Sequence, residues 1–401
     1  MIDDPGRTGE VIGARDAWRG LTDVLGAMGE QIATAPYPSD GRELADGYRY
    51  LGRLAVIGLQ WAVEFGDPDF PAFYRHDDDI TKWGGPNVDN RYLRARVRAG
   101  NTYRITGNAS TSYGFVVQLN EGDMHLDEHG VYGERWGQDV VTDDDGNFEV
   151  YVSAERPDGV PESNWLSLHP ETGIVSIREY FNDWATETPG WFDITCLETE
   201  GRAPAPLSPA VIAERLRSAR RWTERSLRYW HDYIETARGD RSNFISPPRS
   251  VAAGAAGIAY GSGFFDLADG QAMLIEGGAP DAWHWNYLLY NLRWFESLDI
   301  ANRITSLNGH QMHVDPDGQF RIVVSHDDPG TPNWLDTSGL RQGMVTYRYI
   351  HARTAPEVTC RIVPLDRVHE AMAPGTPSID DAERRQQVAT RRAHIARRFR
   401  Q

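Results

Sequence analysis

The sequence predicts a mainly β protein with helical additions (α+β), in which two diverged copies of one antiparallel β unit are joined by a long helix. Three observations lead there: an internal repeat, a switch of hydrophobic period near Asn90, and one long amphipathic stretch between the copies.

The repeat is the strongest of the three. Gly146-Asn147-Phe148-Glu149-Val150-Tyr151-Val152-Ser153 parallels Gly318-Gln319-Phe320-Arg321-Ile322-Val323-Val324-Ser325. An acidic turn precedes each, Asp143-Asp144-Asp145 in one and Asp315-Pro316-Asp317 in the other. Next come Asn164-Trp165-Leu166 and Asn333-Trp334-Leu335, and then Gly173 to Arg178 answers Gly343 to Arg348. Both copies close on a strand bearing a cysteine, Cys196 or Cys360. Each set reads as a hairpin with an Asp-Gly turn, a loop pinned by Asn-Trp, and a returning strand.

The elements follow in order. Trp18, Leu21, Leu25, Met28 and Ile32, then Leu44, Tyr48, Leu51, Leu54, Ile57 and Trp61, recur at helical spacing and predict two packed helices within residues 1–75. From Asn90 the period shortens, and Tyr92–Val97, Thr102–Thr106, Gly114–Leu119, Phe148–Val152, Ile174–Tyr180 and Trp191–Leu197 read as strands of a first β unit over 76–200. The linker Ala203-Pro204-Ala205-Pro206 leads to Ser208-Pro209, an N-cap and first-turn pair, and to a helix over Val211–Arg238 within 201–245. Ile212, Leu216, Ala219, Trp222, Leu227, Trp230 and Ile234 would form its apolar face. The segment Ala252 to Gly263 lacks the Gly-Lys-Ser/Thr of a phosphate loop and reads as an ordinary loop, with β runs resuming near Gln271 in a second unit over 246–368. A charged, Arg-rich tail, 369–401, closes the chain; its acidic start and basic end suit a helix dipole, and it is expected to dock on its own or a neighbouring subunit's surface, as in a homo-oligomer.

Composition narrows the function. A 401-residue chain that is 40% hydrophobic and 25% charged is an ordinary globular balance. A net charge of −17 argues against nucleic acid or an anionic membrane as partner, since both are polyanions. No signal-like start and no membrane-length apolar run is present, so a cytoplasmic location is expected. Two cysteines are too few for a disulfide scaffold or thiolate zinc site and are expected as buried free thiols. Thirteen tryptophans and seventeen tyrosines suit cores, sugar platforms and hydrophobic pockets alike.

Several of these blocks also resemble a known family. Asp327-Asp328-Pro329-Gly330, Asn333-Trp334-Leu335 and Arg348, with Asn302-Arg303 upstream and the aromatic run Trp285 to Tyr290, resemble the core of the bacterial domain of unknown function 1214 family, often paired with domain of unknown function 1254. Asn164-Trp165-Leu166 with Arg178, Tyr180, Phe181, Asp183 and Trp184 resembles the family's Arg-x-Tyr-Phe-x-Asp-Trp ending. Lys82-Trp83-Gly84-Gly85 with Asp89 to Leu93 is similar to the segment opening the domain in actinobacterial members. The resemblance spans 70–200 and 260–365; it implies jelly-roll-like β-sandwich units with helical additions and no established activity. Tyr349-Ile350-His351 departs from the family's aromatic-rich ending in the second copy.

Candidate site residues carry two readings each. The Asn164-Trp165 and Asn333-Trp334 pairs suit a stacking platform with an amide arm, or a loop anchor in which Asn bonds backbone and Trp plugs the sandwich. Arg178 and Arg348 occupy matching strand positions, where an inward arginine needs a carboxylate partner or serves as an anion or carbonyl clamp. The first copy alone continues into Tyr180, Asp183 and Trp184, so the site is expected there, with Arg178, Tyr180, Asp183 and His76 as catalytic groups and Asn90, Tyr92 and Trp184 against the substrate. Asp183 would be the acid–base group, or else would pair with Arg178 or cap a turn. His125, Asp127 and His129 alternate as a strand-borne metal trio would, but Asp123, Glu128 and Gly130 around them favour a hairpin tip, and no metal or other cofactor is expected. Serine or cysteine nucleophile patterns are absent. The expected function is a cofactor-independent hydrolase, lyase or isomerase acting on a small hydrophobic or polyhydroxylated molecule; the alternative is a non-catalytic ligand-binding or assembly protein.

Overall fold

The computed structural model describes residues 5–34, 36–37, 41–250 and 257–400, with side chains from residue 12 onward. Helices α1 (Pro5–Ile32) and α2 (Gly41–Leu59) pack with α3 (Pro209–Arg238). The buried seam of α1 runs through Ala17, Leu21, Val24, Met28 and Ile32, one position off the predicted stripe at its start, which leaves Trp18 54% exposed. Tyr48 is likewise exposed, its place in the core being taken by Tyr50. In α3 the Ser208 side chain accepts the Val211 N–H at 3.2 Å, as the Ser-Pro pair predicts, and Leu216, Ala219, Trp222, Leu227, Trp230 and Ile234 are buried.

The first β unit has an inner sheet of β1 (Tyr74–Arg75), β2 (Asn90–Arg96), β4 (Gly114–Asn120), β5 (Val131–Trp136) and β8 (Ile174–Tyr180), ordered β1-β2-β8-β4-β5. Its outer sheet holds β3 (Tyr103–Asn108), β6 (Asn147–Ser153), β7 (Trp165–Ser167) and β9 (Trp191–Cys196), ordered β7-β6-β3-β9. After α3, β10 (Phe244–Ile245), β12 (Ile258–Asp266), β14 (His284–Asn291), β15 (Ser306–Asn308) and β18 (Gln342–Ile350) repeat the inner order as β10-β12-β18-β14-β15, with β11 (Arg249–Ser250) also on β12. The outer order returns as β17-β16-β13-β19, from β13 (Gln271–Gly278), β16 (Gln319–Ser325), β17 (Trp334–Asp336) and β19 (Val358–Pro364). Register repeats too: Gly107 faces Phe148 as Gly277 faces Phe320, and Tyr92 faces Arg178 as Tyr260 faces Arg348. The chain is a duplicated β-sandwich. The cysteines are free, Cys196 buried and Cys360 half-buried, on equivalent strands.

Each sandwich buries one alternating set of side chains between its sheets, such as Val117, Phe148, Val150 and Ile177 in the first and Tyr287, Phe320, Ile322 and Val345 in the second. The opposite faces of the two inner sheets meet, bringing Val116, Trp136 and Tyr180 against Ile258, Ile350 and Tyr260. Strand β14 is therefore buried at every position, which is why its sequence does not alternate.

One expectation is corrected here. Residues 252–256 of the anticipated glycine-rich loop lie outside the described residues, but from Ile258 the segment is strand β12. Gly261 lies where the Tyr347 ring crosses: a Cβ there would sit 2.0 Å from that ring, so the glycine serves close packing within a strand rather than a turn. The C-terminal helix α4 (Asp381–Phe399) starts with a capping box at Asp380 and folds back on its own chain. Arg384 pairs with Asp328, Arg391 donates to the Ile300 and Ser306 carbonyls, and Arg398 donates to the Val88 carbonyl. Among the described residues, no helix is long and apolar enough to cross a membrane.

Candidate functional site: a polar seam between the two copies

Because strand side chains alternate, the residues that leave each sandwich core enter the space between the inner sheets. In the first copy these include Asn90, Tyr92, Arg178 and Tyr180; in the second, Tyr260, His284, Asn286, Tyr290 and Arg348. Arg178 and Arg348 stand at equivalent positions, close enough to act on each other and on Tyr92, Tyr180 and Tyr260. Arg178 Nη2 donates to Gln118 Oε1 at a long 3.3 Å. Arg348 donates to the Gly85 carbonyl at 3.0 Å and, at 3.3 and 3.4 Å, to Thr346 Oγ1 and the Tyr290 hydroxyl, and lies 5.8 Å from the centre of the Tyr260 ring. Among the described residues neither guanidinium has a carboxylate partner. Two other enclosed arginines have one, Arg91 with Glu179 at 2.8 Å and Arg94 with Asp123 at 2.6 Å, whereas Arg391 and Arg398 are held by backbone carbonyls. Both seam arginines are deep in the body yet keep some accessible surface. Burial raises the phenols of Tyr92 and Tyr180, the latter to about 12 although the nearby arginines oppose the shift. At neutral pH both are hydrogen-bond donors.

Beside this pair lies a buried network centred on Asp89. Its Oδ1 accepts the Trp184 indole N–H at 3.0 Å and Asn308 Nδ2 at 2.9 Å; its Oδ2 accepts Asn286 Nδ2 and faces His284 Nε2 at 3.6 Å. Burial pushes the Asp89 carboxyl up, but hydrogen bonds from His284, Asn286 and Asn308 outweigh it and hold the group below the usual carboxylate range. Asp89 belongs to the first copy while Asn286 and Asn308 belong to the second, so this carboxylate ties the copies together. Asn90 Oδ1, His284 Nδ1 and Asn286 Oδ1 are buried without a hydrogen-bond partner among the described residues.

The structure thus gathers Arg178, Tyr180, Asn90 and Tyr92 and sends the other predicted residues elsewhere. Asp183 is a turn cap, accepting the Ala185 N–H at 2.9 Å and the Thr186 hydroxyl at 2.7 Å. Those bonds, the Thr186 hydroxyl first, keep its carboxyl below the usual range, the wrong direction for a proton donor at neutral pH. The expected acid–base role of Asp183 is corrected accordingly. His76 lies in a different buried cluster, 3.2 Å from Arg94 and ringed by Trp61, Trp83 and Trp222, with burial and then Arg94 driving its basicity far down. Trp184 is buried, stacked on His394 at 5.0 Å and overlain by Arg391 and Arg398, so it faces the tail helix and not a ligand.

The Asn-Trp motifs work as anchors in both copies. Asn164 accepts the Val141 N–H and donates to the Val141 and Glu149 carbonyls; Asn333 does the same with His313 and with the Arg321 carbonyl. Trp165 and Trp334 donate to Ser153 Oγ and Ser325 Oγ at 3.1 and 2.9 Å. Their polar capacity is spent on backbone and serine, so the platform reading finds no free arm. His125, Asp127 and His129 do not share a strand face: His125 contacts the Trp222 carbonyl, and Asp127, at a left-handed φ of 67°, pairs with Arg225.

Tyr260 and His284 escaped the sequence reading, and Asp89, Asn286 and Tyr290 entered it only within blocks resembling the family, not as site residues. The repeat carried a usable signal for one of them, since the offset relating Arg178 to Arg348 also leads from Tyr92 to the neighbourhood of Tyr260. Asp89 and Asn286 carry no such mark, because their meeting depends on how the copies pack.

Fold and seam define a class: a tandem pair of β-sandwiches pressed inner sheet to inner sheet, with a polar, arginine-bearing interface. The chain belongs to the family described as "Protein of unknown function (DUF1214)", whose model matches residues 94–182 and 269–354. It is similar to an uncharacterised protein from Burkholderia cenocepacia, at 30% identity over 90% of this chain and 99% of that one, with a TM-score of 0.81. A more distant likeness is the VPA0106 protein from Vibrio parahaemolyticus, 14% identical over 78% of this chain and 98% of that one, with a TM-score of 0.46. No functionally curated protein matches.

Proposed function

We propose that the protein binds a small molecule through an oxyanionic group held between Arg178 and Arg348, with the Tyr92, Tyr180 and Tyr260 hydroxyls as supporting donors. The observation that carries this reading is the pair of enclosed guanidiniums without a carboxylate partner. Burying like charges without a counter-ion is costly, and a ligand that brings negative charge into the seam offsets that cost while using the planar donor forks of arginine. This favours ligand binding over the expected hydrolase, lyase or isomerase, because Asp183 and His76 do not face the arginine pair. It also replaces a neutral substrate by an anionic one.

The test is calorimetric titration of the full chain at low ionic strength with phosphate, sulfate, and small mono- and dicarboxylates. At least one of these should bind with one-to-one stoichiometry, and Arg178→Met and Arg348→Met should each weaken it by about tenfold or more, the loss of one charge-assisted contact. Asp183→Asn should bind as the wild type does. Absence of saturable binding across the panel, or binding indifferent to both arginine variants, would overturn the reading.

A further inference from the structure

A cleft lies beside the arginine pair along the seam; it shares no lining residue with that pair, although the Tyr180 ring packs on both Trp136 and Trp283. It encloses about 280 Å³, room for one ring-sized molecule, and both copies contribute: Tyr113, Phe115 and Trp136 from the first and Trp283 from the second. The Trp136 and Trp283 rings meet at 81° with centroids 5.6 Å apart, making an aromatic corner. Tyr113 lies against Trp283 at 4.7 Å, and its hydroxyl donates to the Trp283 carbonyl at 2.7 Å, which fixes that wall. The base is Phe115, stacked on Phe148 at 4.8 Å. Gly137 keeps the base open, because a Cβ at this position would come within 2.5 Å of the Phe115 ring. The rim carries Ser112 and an exposed Gln138, and among the described residues no charged side chain lines the cleft.

We infer that this cleft is a binding site for an uncharged saccharide ring. An aromatic corner presents one face and one edge to the C–H surfaces of a pyranose, and hydroxyl and amide groups at the rim suit its hydroxyls. The lack of lining charge selects against ionic ligands, so this ligand differs in class from the anion of the arginine pair and stands or falls separately from it.

Saturation-transfer NMR on the full chain with glucose, maltose, cellobiose and N-acetylglucosamine, and with p-cresol as a flat aromatic probe, tests the assignment. At least one saccharide should receive saturation and compete with no anion. Its affinity should fall about tenfold in Trp283→Ala, through loss of a stacking wall. It should fall measurably in Gln138→Ala, whose exposed side chain cannot compromise folding, and stay unchanged in Arg348→Met. Binding of p-cresol alone, of no probe, or of saccharide with equal affinity in both cleft variants would overturn the inference.

Discussion

Replacing Arg178 by methionine should make the ligand-free protein more stable, and the size of the gain follows from what surrounds the side chain. Two like unit charges close enough to act on each other repel by roughly 2 kcal/mol at an effective dielectric near 20. Desolvation of an enclosed guanidinium adds to that cost. Against it stands one long hydrogen bond, 3.3 Å to Gln118 Oε1, worth about 1 kcal/mol or less. Its loss does not orphan the acceptor, because Asn120 Nδ2 also donates to Gln118 Oε1 at 3.2 Å. Methionine keeps the apolar stem and fills much of the same volume. The net expectation is a gain of about 1–2 kcal/mol, read as a higher urea midpoint at unchanged slope in a buffer free of multivalent anions. With a binding anion at about a hundred times its dissociation constant, the wild type gains about 2.7 kcal/mol and the order reverses. A loss of stability in Arg178→Met without anion would refute the reasoning, since it would mean the guanidinium is satisfied within the chain.

Other perturbations give equally definite outcomes. Trp334→Ala removes a ring that is 8% exposed, bonded to Ser325 and overlain by Arg384, and should cost about 3–5 kcal/mol, whereas the half-buried Trp165 should cost clearly less; equal losses in urea unfolding would contradict the anchor account. Asp89→Ala strands the Trp184 indole and removes one of the acceptors of the Asn286 and Asn308 amides, which keep Asn87 Oδ1 and the Asn182 carbonyl, and should cost about 2–4 kcal/mol, so a thermal midpoint within a degree of wild type would show that the copies are held otherwise. Burial lowers the folded-state basicity of His125 to about 4, below the unfolded value of about 6.5, so the unfolded chain takes up a proton first as pH falls. Its contribution is present above about pH 6.5 and is lost toward pH 4, amounting to about 3 kcal/mol; His125→Phe should flatten that part of the stability-versus-pH curve, and an unchanged slope would count against the assignment.

The sequence by itself determined the duplication, most strands of the first copy and the linking helix, while the glycine-rich β12 read as a loop and β5 went unread. The first three rest on local and repeated signals: Asp-Gly turns before Phe148 and Phe320, two-residue alternation, and Ser208-Pro209 at a helix start. It also exposed Arg178 and Arg348 as a matched pair, and Tyr180, Asn90 and Tyr92 as their neighbours. It could not determine which neighbours of Arg178 would face a ligand. Asp183 follows Tyr180 by three residues, yet the chain leaves the strand after Tyr180 and turns, so sequence proximity does not become spatial proximity. Only the tertiary structure brought the two inner sheets face to face. That packing sets Arg348 and Tyr260 opposite Arg178, places Asp89 among amides more than 190 residues away, and forms the corner of Trp136 and Trp283. Each of these meetings joins side chains from different copies, and the energy that selects the arrangement is burial and polar pairing across the seam, which no local pattern encodes.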